Sequence, residues 1–250
     1  MTREDMRRRG VELGKGLGQP VDARREVVPG LADFTAEVVY AGIWDRPHLA
    51  VPDRLVCTLA ALGLLQRFAQ LERMVATALD HDLPPRSILE VFMQAGLYGG
   101  FDTTESAAAC AHKVFKARGC TVPEEPPRRD TNETLDARGR ELMATLHGER
   151  GQEGYAAPGN AITGELYPAA IRYGYGELWF RPGLNHRQRM LCALASFTVL
   201  GLERQLAKFA ASALNVGLTR AEIIEAVIQT GPYGGFPSAL NGLAIISAVL

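Results

Sequence analysis

The segment "QAGLYGGF" at residues 94–101 returns as "QTGPYGGF" at residues 229–236, with six of eight positions unchanged, 135 residues further on. The same displacement lays residues 40–115 on residues 175–250 without a gap, and 26 of the 76 paired residues are identical. Trp44 pairs with Trp179, Arg46-Pro47 with Arg181-Pro182, and Arg54 with Arg189. Cys57 pairs with Cys192, Gln70 with Gln205, and Glu90 with Glu225. A chain repeated in this way folds as two similar units, so a structure that suits one copy must suit the other.

Apolar spacing within each copy is helical. In the second, Met190, Leu191, Leu194, Phe197 and Thr198 recur in steps of three and four, followed by Leu202, Leu206, Phe209, Ala210 and Ala213. "GLTRAEIIEAVIQT" (217–230) opens with Thr219 as an N-cap and Glu222 three residues on, a capping box. The first copy has "LPPRSILEVFMQA" there, with Pro84 or Pro85 suited to a first helical turn. Alternating β-branched runs with Asn-Gly turns are absent. The expectation is an all-α chain of two tandem helical domains, residues 1–118 and 137–250. Residues 119–136, "GCTVPEEPPRRDTNETLD", read as the linker.

Hydrophobic residues make up 47% of the chain and charged residues 22%, enough apolar material for a sizeable core. A formal net charge of −1 argues against nucleic acid or an anionic membrane as partner. The opening "MTREDMRRRG" lacks the apolar core of a signal peptide, and no stretch is long enough for a membrane span. Cys57, Cys110, Cys120 and Cys192 form no metal or disulfide spacing, and a cytoplasmic location is expected. Neither a metal nor a cofactor is expected.

Two longer runs carry a resemblance. "YGYGELWFRPGLNHRQRMLCALASFTVLG" and "LNVGLTRAEIIEAVIQTGPYGGFPSALNG" closely resemble the carboxymuconolactone decarboxylase family. Its members show a similar Trp-x-Arg-Pro-Gly-Leu entry, an Ala-Leu-x-x-Gly-Leu-Thr turn and a Gln-x-x-x-Tyr-x-Gly-x-Pro run. The resemblance covers both copies, about 75 residues each, and extends weakly to "RRGVELGKGLG" (8–18) and "RELMATLHGERG" (140–151). It implies an all-α, alkylhydroperoxidase D-like fold that forms homo-oligomers, here a trimer of two-copy chains. It also implies either decarboxylation of a carboxylated lactone or thiol-dependent peroxide reduction.

The chain departs from the family at its chemical positions. The peroxidase branch needs Cys-x-x-Cys-x-x-x-His; the corresponding residues are Arg67, Gln70 and Met74, then Leu202, Gln205 and Phe209. With no thiol or imidazole in either set, thiol peroxidase chemistry is excluded by that route. The decarboxylase branch usually has Glu and His at the last two of these positions, and both copies have lost the pair.

The remaining candidates are recurrent. Arg46 and Arg181 have forks that fit a substrate carboxylate, with Trp44 and Trp179 as apolar walls. Gln94 and Gln229 lie one turn before Tyr98 and Tyr233, and with Gln70 and Gln205 they are candidates to hold an enolate oxygen. Arg54 and Arg189 read as structural ion-pair partners of Glu90 and Glu225, and Cys57 and Cys192 as core. Among the histidines, His186 is the candidate acid or base, while the pair Glu105 and His112 occurs only in the first copy. The leading expectation is a cofactor-independent decarboxylase, or related lyase or isomerase, acting on a small carboxylated lactone or cyclic keto acid. Aromatic catabolism and secondary metabolism are its two natural settings. A non-catalytic small-molecule binder or assembly subunit is the alternative, and a cyclase or dehydratase the third.

Overall fold

The computed structural model describes residues 2–21, 28–125, 128–152, 160–164 and 166–250, and every regular element among them is helical. The first copy comprises α1 (Arg3–Gly16), α2 (Leu31–Phe34), α3 (Val51–Leu64), α4 (Phe68–Asp80), α5 (Pro85–Gly99) and α6 (Phe101–Ala117). The second comprises α7 (Asn132–His147), α8 (Tyr167–Ala169), α9 (His186–Leu200), α10 (Glu203–Ala213), α11 (Arg220–Gln229), α12 (Gly231–Gly234) and α13 (Phe236–Ser247). Both α2 and α8 continue in wide π-type turns, Thr35–Trp44 and Ala170–Tyr175. The i→i+5 bonds Asp45 N–H to Tyr40 C=O and Gly176 N–H to Ile171 C=O, each 2.9 Å, mark them.

Local chemistry fixes the boundaries. The Thr219–Glu222 capping box forms as predicted, and Asn185 with Gln188 builds a second one at the start of α9. Pro85 occupies the first turn of α5. Where α5 runs unbroken, the second copy splits into α11 and α12. Pro232 stands there in place of Leu97, and a proline cannot donate the backbone bond that a continuous helix needs.

Buried residues of both halves join in one hydrophobic core. Twelve of the fourteen residues of α3 and ten of the fifteen of α9 are buried, and the two helices pack against each other with α5 and α11 across them. Cys57 and Cys192 mark this crossing. The Cys57 thiol faces the Leu191 carbonyl at 3.8 Å and the Cys192 thiol faces that of Val91 at 3.4 Å. Burial pushes the Cys192 thiol up to about 12, so these are inert core groups as expected. The linker is shorter than the sequence indicated, because Thr131 caps α7 and the helix starts at Asn132. Glu125 within it pairs with both Arg86 and Arg181, which ties the linker to α5 and to the entry of the second copy.

At the edge of the first copy α1 lies directly on the π-type turns Thr35–Trp44. A Cβ added to Gly10 would sit 1.8 Å from the Ala36 carbonyl oxygen, whereas one added to Gly16 meets nothing within 4 Å. Gly10→Ala is therefore expected to push α1 off the Thr35–Trp44 turns and to cost more than about 2 kcal/mol in urea unfolding. Gly16→Ala, by contrast, should be neutral or stabilising by up to about 1 kcal/mol. Equal stability of the two variants would contradict this packing.

Candidate functional site

Glu90, Gln94 and Tyr98 are spaced by four along α5, and Glu225, Gln229 and Tyr233 repeat that spacing through α11 and α12. Four-residue steps keep all three on one helix face. Each stripe is read by the other copy. Arg54, fully buried on α3, donates to Glu225 Oε2 at 2.9 Å and to Gln229 Oε1 at 2.9 Å. It also donates to the Arg46 and Leu49 carbonyls of its own entry loop, at 2.7 and 3.1 Å. Arg189 does the same in reverse, reaching Glu90 at 3.0 Å, Gln94 at 3.1 Å and the Arg181 carbonyl at 2.7 Å. Trp44 completes the first set by donating its indole N–H to the Tyr233 hydroxyl at 2.9 Å.

Behind that tyrosine the first copy opens a cavity of about 930 Å³ between α2, α4 and α12, within the range of small-molecule sites. Val39, Leu62 and Met74 form an apolar side. Tyr40, Arg67, Gln70, Arg73 and Tyr233 supply polar groups, and no carboxylate lies among the described lining residues. The Gln70 amide oxygen accepts from Arg73, which leaves the amide N–H₂ as its donor end. Burial pushes the Tyr40 phenol up to about 12 against the opposing pull of Arg73, and burial raises Tyr233 as well. Both hydroxyls are thus neutral donors near neutral pH.

The corresponding space in the second copy is filled. Phe197 stands where the first copy has Leu62, and Phe209 where it has Met74. Their ring centroids lie 4.9 Å apart, Tyr98 packs 4.5 Å from Phe197, and His147 packs 4.9 Å from Phe209. His147 also occupies the polar groups around it, bonding Ser212 Oγ at 2.8 Å and the Tyr175 hydroxyl at 3.0 Å. Burial, then the nearby Lys208 and Arg150, lower its pKa to about 3, so the ring is neutral.

The candidates therefore separate. Gln70 and Tyr233 come together at the cavity although 163 residues part them. Gln205 and Tyr98 belong to the filled side. Arg46 and Arg181 spend their forks on Glu225 and Glu90 at 2.8 and 2.9 Å, so the carboxylate they hold is the protein's own. Gln94 and Gln229 are likewise committed: Gln94 donates to Tyr98 at 2.7 Å, and Gln229 donates to Thr58 at 3.1 Å. Trp44 braces Tyr233 from outside the cavity, and Trp179 stacks on Tyr175 at 6.2 Å. His186 begins α9 against Trp179 and Phe180, away from the cavity, and burial beside Arg189 lowers its pKa. Glu105 and His112 are exposed on α6. The expected pairing of Arg54 and Arg189 with Glu90 and Glu225 is present, but crosswise between copies.

Tyr40 and Arg73 escaped the sequence reading. The signal for Tyr40 was its place as the first residue of the repeat, matched by Tyr175; Arg73 is matched by Lys208, a recurrent positive charge one turn from Thr77 or Ser212.

The all-α duplication and its cross-braced cavity define a tandem helical protein of one established kind. The chain belongs to the carboxymuconolactone decarboxylase family, whose model matches residues 29–113 and again residues 164–248. It is 34% identical over 68 residues to a 4-carboxymuconolactone decarboxylase of Acinetobacter baylyi, covering 27% of this chain and 51% of that one. It is 33% identical over 73 residues to a nitrosuccinic acid decarboxylase of Metarhizium robertsii, covering 29% and 51%. An uncharacterized 15.0 kDa protein of Paracoccus denitrificans is 35% identical over 80 residues, covering 29% and 60%. The chain thus spans between half and three fifths of the length of these curated relatives. Among the described residues no helix is long and apolar enough to cross a membrane.

Two measurements follow from this geometry. Glu225→Ala leaves Arg54 buried without its carboxylate and should cost about 3–5 kcal/mol in chemical denaturation; a loss under about 1 kcal/mol would show the network to be dispensable. His147 has a folded pKa of about 3 against 6.5 when unfolded, so its contribution is complete above about pH 6.5 and drains away as pH falls toward 3. Between about pH 6 and about pH 4 the wild type should lose roughly 1.4 kcal/mol per pH unit through this group. His147→Gln should flatten that part of the curve, and an unchanged slope would remove His147 from acid sensitivity.

Proposed function

We propose that this chain is a cofactor-independent decarboxylase of a small carboxylated lactone or cyclic keto acid, with its reaction in the first-copy cavity. The observation that carries this is a basic cavity, with no carboxylate among its described lining residues, whose polar wall joins Gln70 and Arg73 to Tyr233 of the other copy. The naming of two relatives as decarboxylases supports the reaction class.

Loss of carbon dioxide from such a substrate breaks the bond to the carboxylate carbon and sends the electron pair onto a conjugated carbonyl oxygen. The Gln70 amide, the Tyr233 hydroxyl and the Arg73 guanidinium meet that oxygen as donors. They accelerate the step to the extent that they hold the developing enolate more tightly than the departing carboxylate. Arg67, exposed at the rim, draws the anionic substrate in. The apolar side formed by Val39, Leu62 and Met74 receives the ring and the departing carbon dioxide. The whole chain is proposed to work as a homo-oligomer, a trimer of two-copy chains. Phe101 and Phe236, which recur at matching positions with 63% and 48% of their surface exposed, support such an assembly.

The absence of an imidazole or carboxylate among the described lining residues favours one rival, a small-molecule binder without turnover. A panel of β-keto acids and carboxylated γ-lactones, followed by carbon dioxide release, separates the two. On a productive substrate Arg73→Met should lower kcat/KM by about 10²-fold or more, while Gln205→Leu in the filled copy should stay near wild type. Ligand binding with no release across the panel would give the site to the binder.

A further inference from the structure

We propose that Tyr40 is the acid of the first-copy cavity, donating to a bound oxyanion and, in decarboxylation, delivering the proton to carbon. The inference rests on the proposed reaction for its second half only. The molecule supplies its own control, because the duplication places the same residue in both copies and treats it in two ways. Tyr175, the partner of Tyr40, has its hydroxyl held by His147 at 3.0 Å and its ring stacked on Trp179. Tyr40 is 95% buried, 5% of its surface being exposed, and lines the cavity; its hydroxyl has no hydrogen-bond partner among the described residues. Because Tyr40 lines the cavity, that unspent hydroxyl is open to a ligand there, and a hydrogen bond to a charged ligand oxygen is worth about 1.5–3 kcal/mol.

Among the described lining residues the two phenols, Tyr40 and Tyr233, are the groups able to give up a proton for this step. Arg67 and Arg73 are cations that do not deprotonate, and Gln19 and Gln70 are amides. Gln19 spends its N–H₂ on the Arg73 carbonyl and on Thr77, at 3.1 and 2.9 Å. Tyr233 already accepts from Trp44, which holds its oxygen in place as a fixed donor. That leaves Tyr40, with the Arg73 guanidinium near enough to favour its anion.

The balance is complete without a further reagent. Carbon dioxide departs and the enolate keeps the electron pair; that pair then takes the Tyr40 phenolic proton to form a C–H bond. The resulting phenolate, held beside Arg73, recovers a proton from water.

The probe is 4-nitrophenolate, an oxygen anion delocalised into a ring, whose binding is read from its visible absorbance. Wild type should bind it. Tyr40→Phe should weaken it at least about tenfold, the worth of one good hydrogen bond to a charged group, and Tyr175→Phe should change it less than about twofold. No binding by wild type, an unchanged Tyr40→Phe, or an equal loss in Tyr175→Phe overturns the proposal. Thermal unfolding of each variant separates a lost donor from a lost fold; should Tyr40→Phe not fold, Arg73→Gln replaces it with the same expected loss, and unchanged binding there overturns the proposal. With any keto acid that wild type decarboxylates in D₂O, the product should carry deuterium on one face, and Tyr40→Phe should be slower and lose that selectivity. One-faced labelling at the wild-type rate in Tyr40→Phe overturns the role. If no keto acid on the panel is decarboxylated, the decarboxylase reading has failed and the nitrophenolate result alone decides Tyr40.

Discussion

Arg54 and Arg189 sit in the centre of the protein with almost no exposed surface, and a guanidinium there is tolerable only when its charge is paired and its fork is bonded; the Arg189 Nε is left without a partner among the described residues. Each draws on two sources. Carbonyls of its own entry loop take part of the fork, and a Glu and a Gln from the other copy take the rest. The entry loop therefore cannot move without disturbing a buried charge. Because Trp44 stands at the end of the π-type turns that follow α2, fixing the loop also fixes the indole that braces Tyr233. The cavity wall depends on an ion pair that lines none of it.

Fusion of the copies explains how the halves came to differ in content while sharing a frame. The cross-brace needs both arginines and both Glu-Gln-Tyr stripes, and all of these recur. The cavities face no such reciprocal demand. A cavity costs stability in proportion to the contacts its lining lacks, and one filled by aromatic rings recovers them. Phe197, Phe209, Tyr98 and His147 make that exchange in the second copy, with edge and tilted contacts of the kind worth about 0.5–1.5 kcal/mol each beyond burial. The second copy gives up its own hollow and lends Pro232 and Tyr233 to the first.

Much of this was legible in the residues. The displacement of 135 exposed the duplication, three-and-four spacing gave the helices, and the Thr219–Glu222 pair marked the start of α11. The Gln-to-Tyr spacing placed both side chains on one face, and the Gln94–Tyr98 bond confirms it. What was hidden was which copy answers which. An arginine at 54 and a glutamate at 90 look like partners in one unit, yet the other copy carries the same residue types, Arg189 and Glu225, in the same register. Sequence spacing is blind to that choice; only the packing of α3 on α9 makes it. The same blindness misled the reading of Arg46 and Arg181, whose exposed entry motif resembled a carboxylate clamp until Glu225 and Glu90 arrived from the other copy. Tyr40 was hidden for a different reason. Its marks are burial and an unspent hydroxyl, and neither can be read from a lone aromatic in an apolar run.

The loss of the family's Glu and His positions looks damaging only if the reaction must begin by removing a proton. Decarboxylation does not begin that way. The departing carbon dioxide leaves the electron pair behind, so the substrate makes its own base and the protein need supply only an acid and a home for negative charge. An acid for that task must stay protonated until the carbanion forms, and then lose its proton to a far stronger base. A phenol held at about 12 meets the first condition over the whole physiological range and the second against an enolate carbon. A carboxylic acid of ordinary strength would meet the first only if burial raised it by several units. Replacing Glu and His with Gln70 and Met74 also removes the negative charge that a carboxylate would set against an anionic substrate. The described lining residues are then all neutral or positive, which suits an anionic ligand.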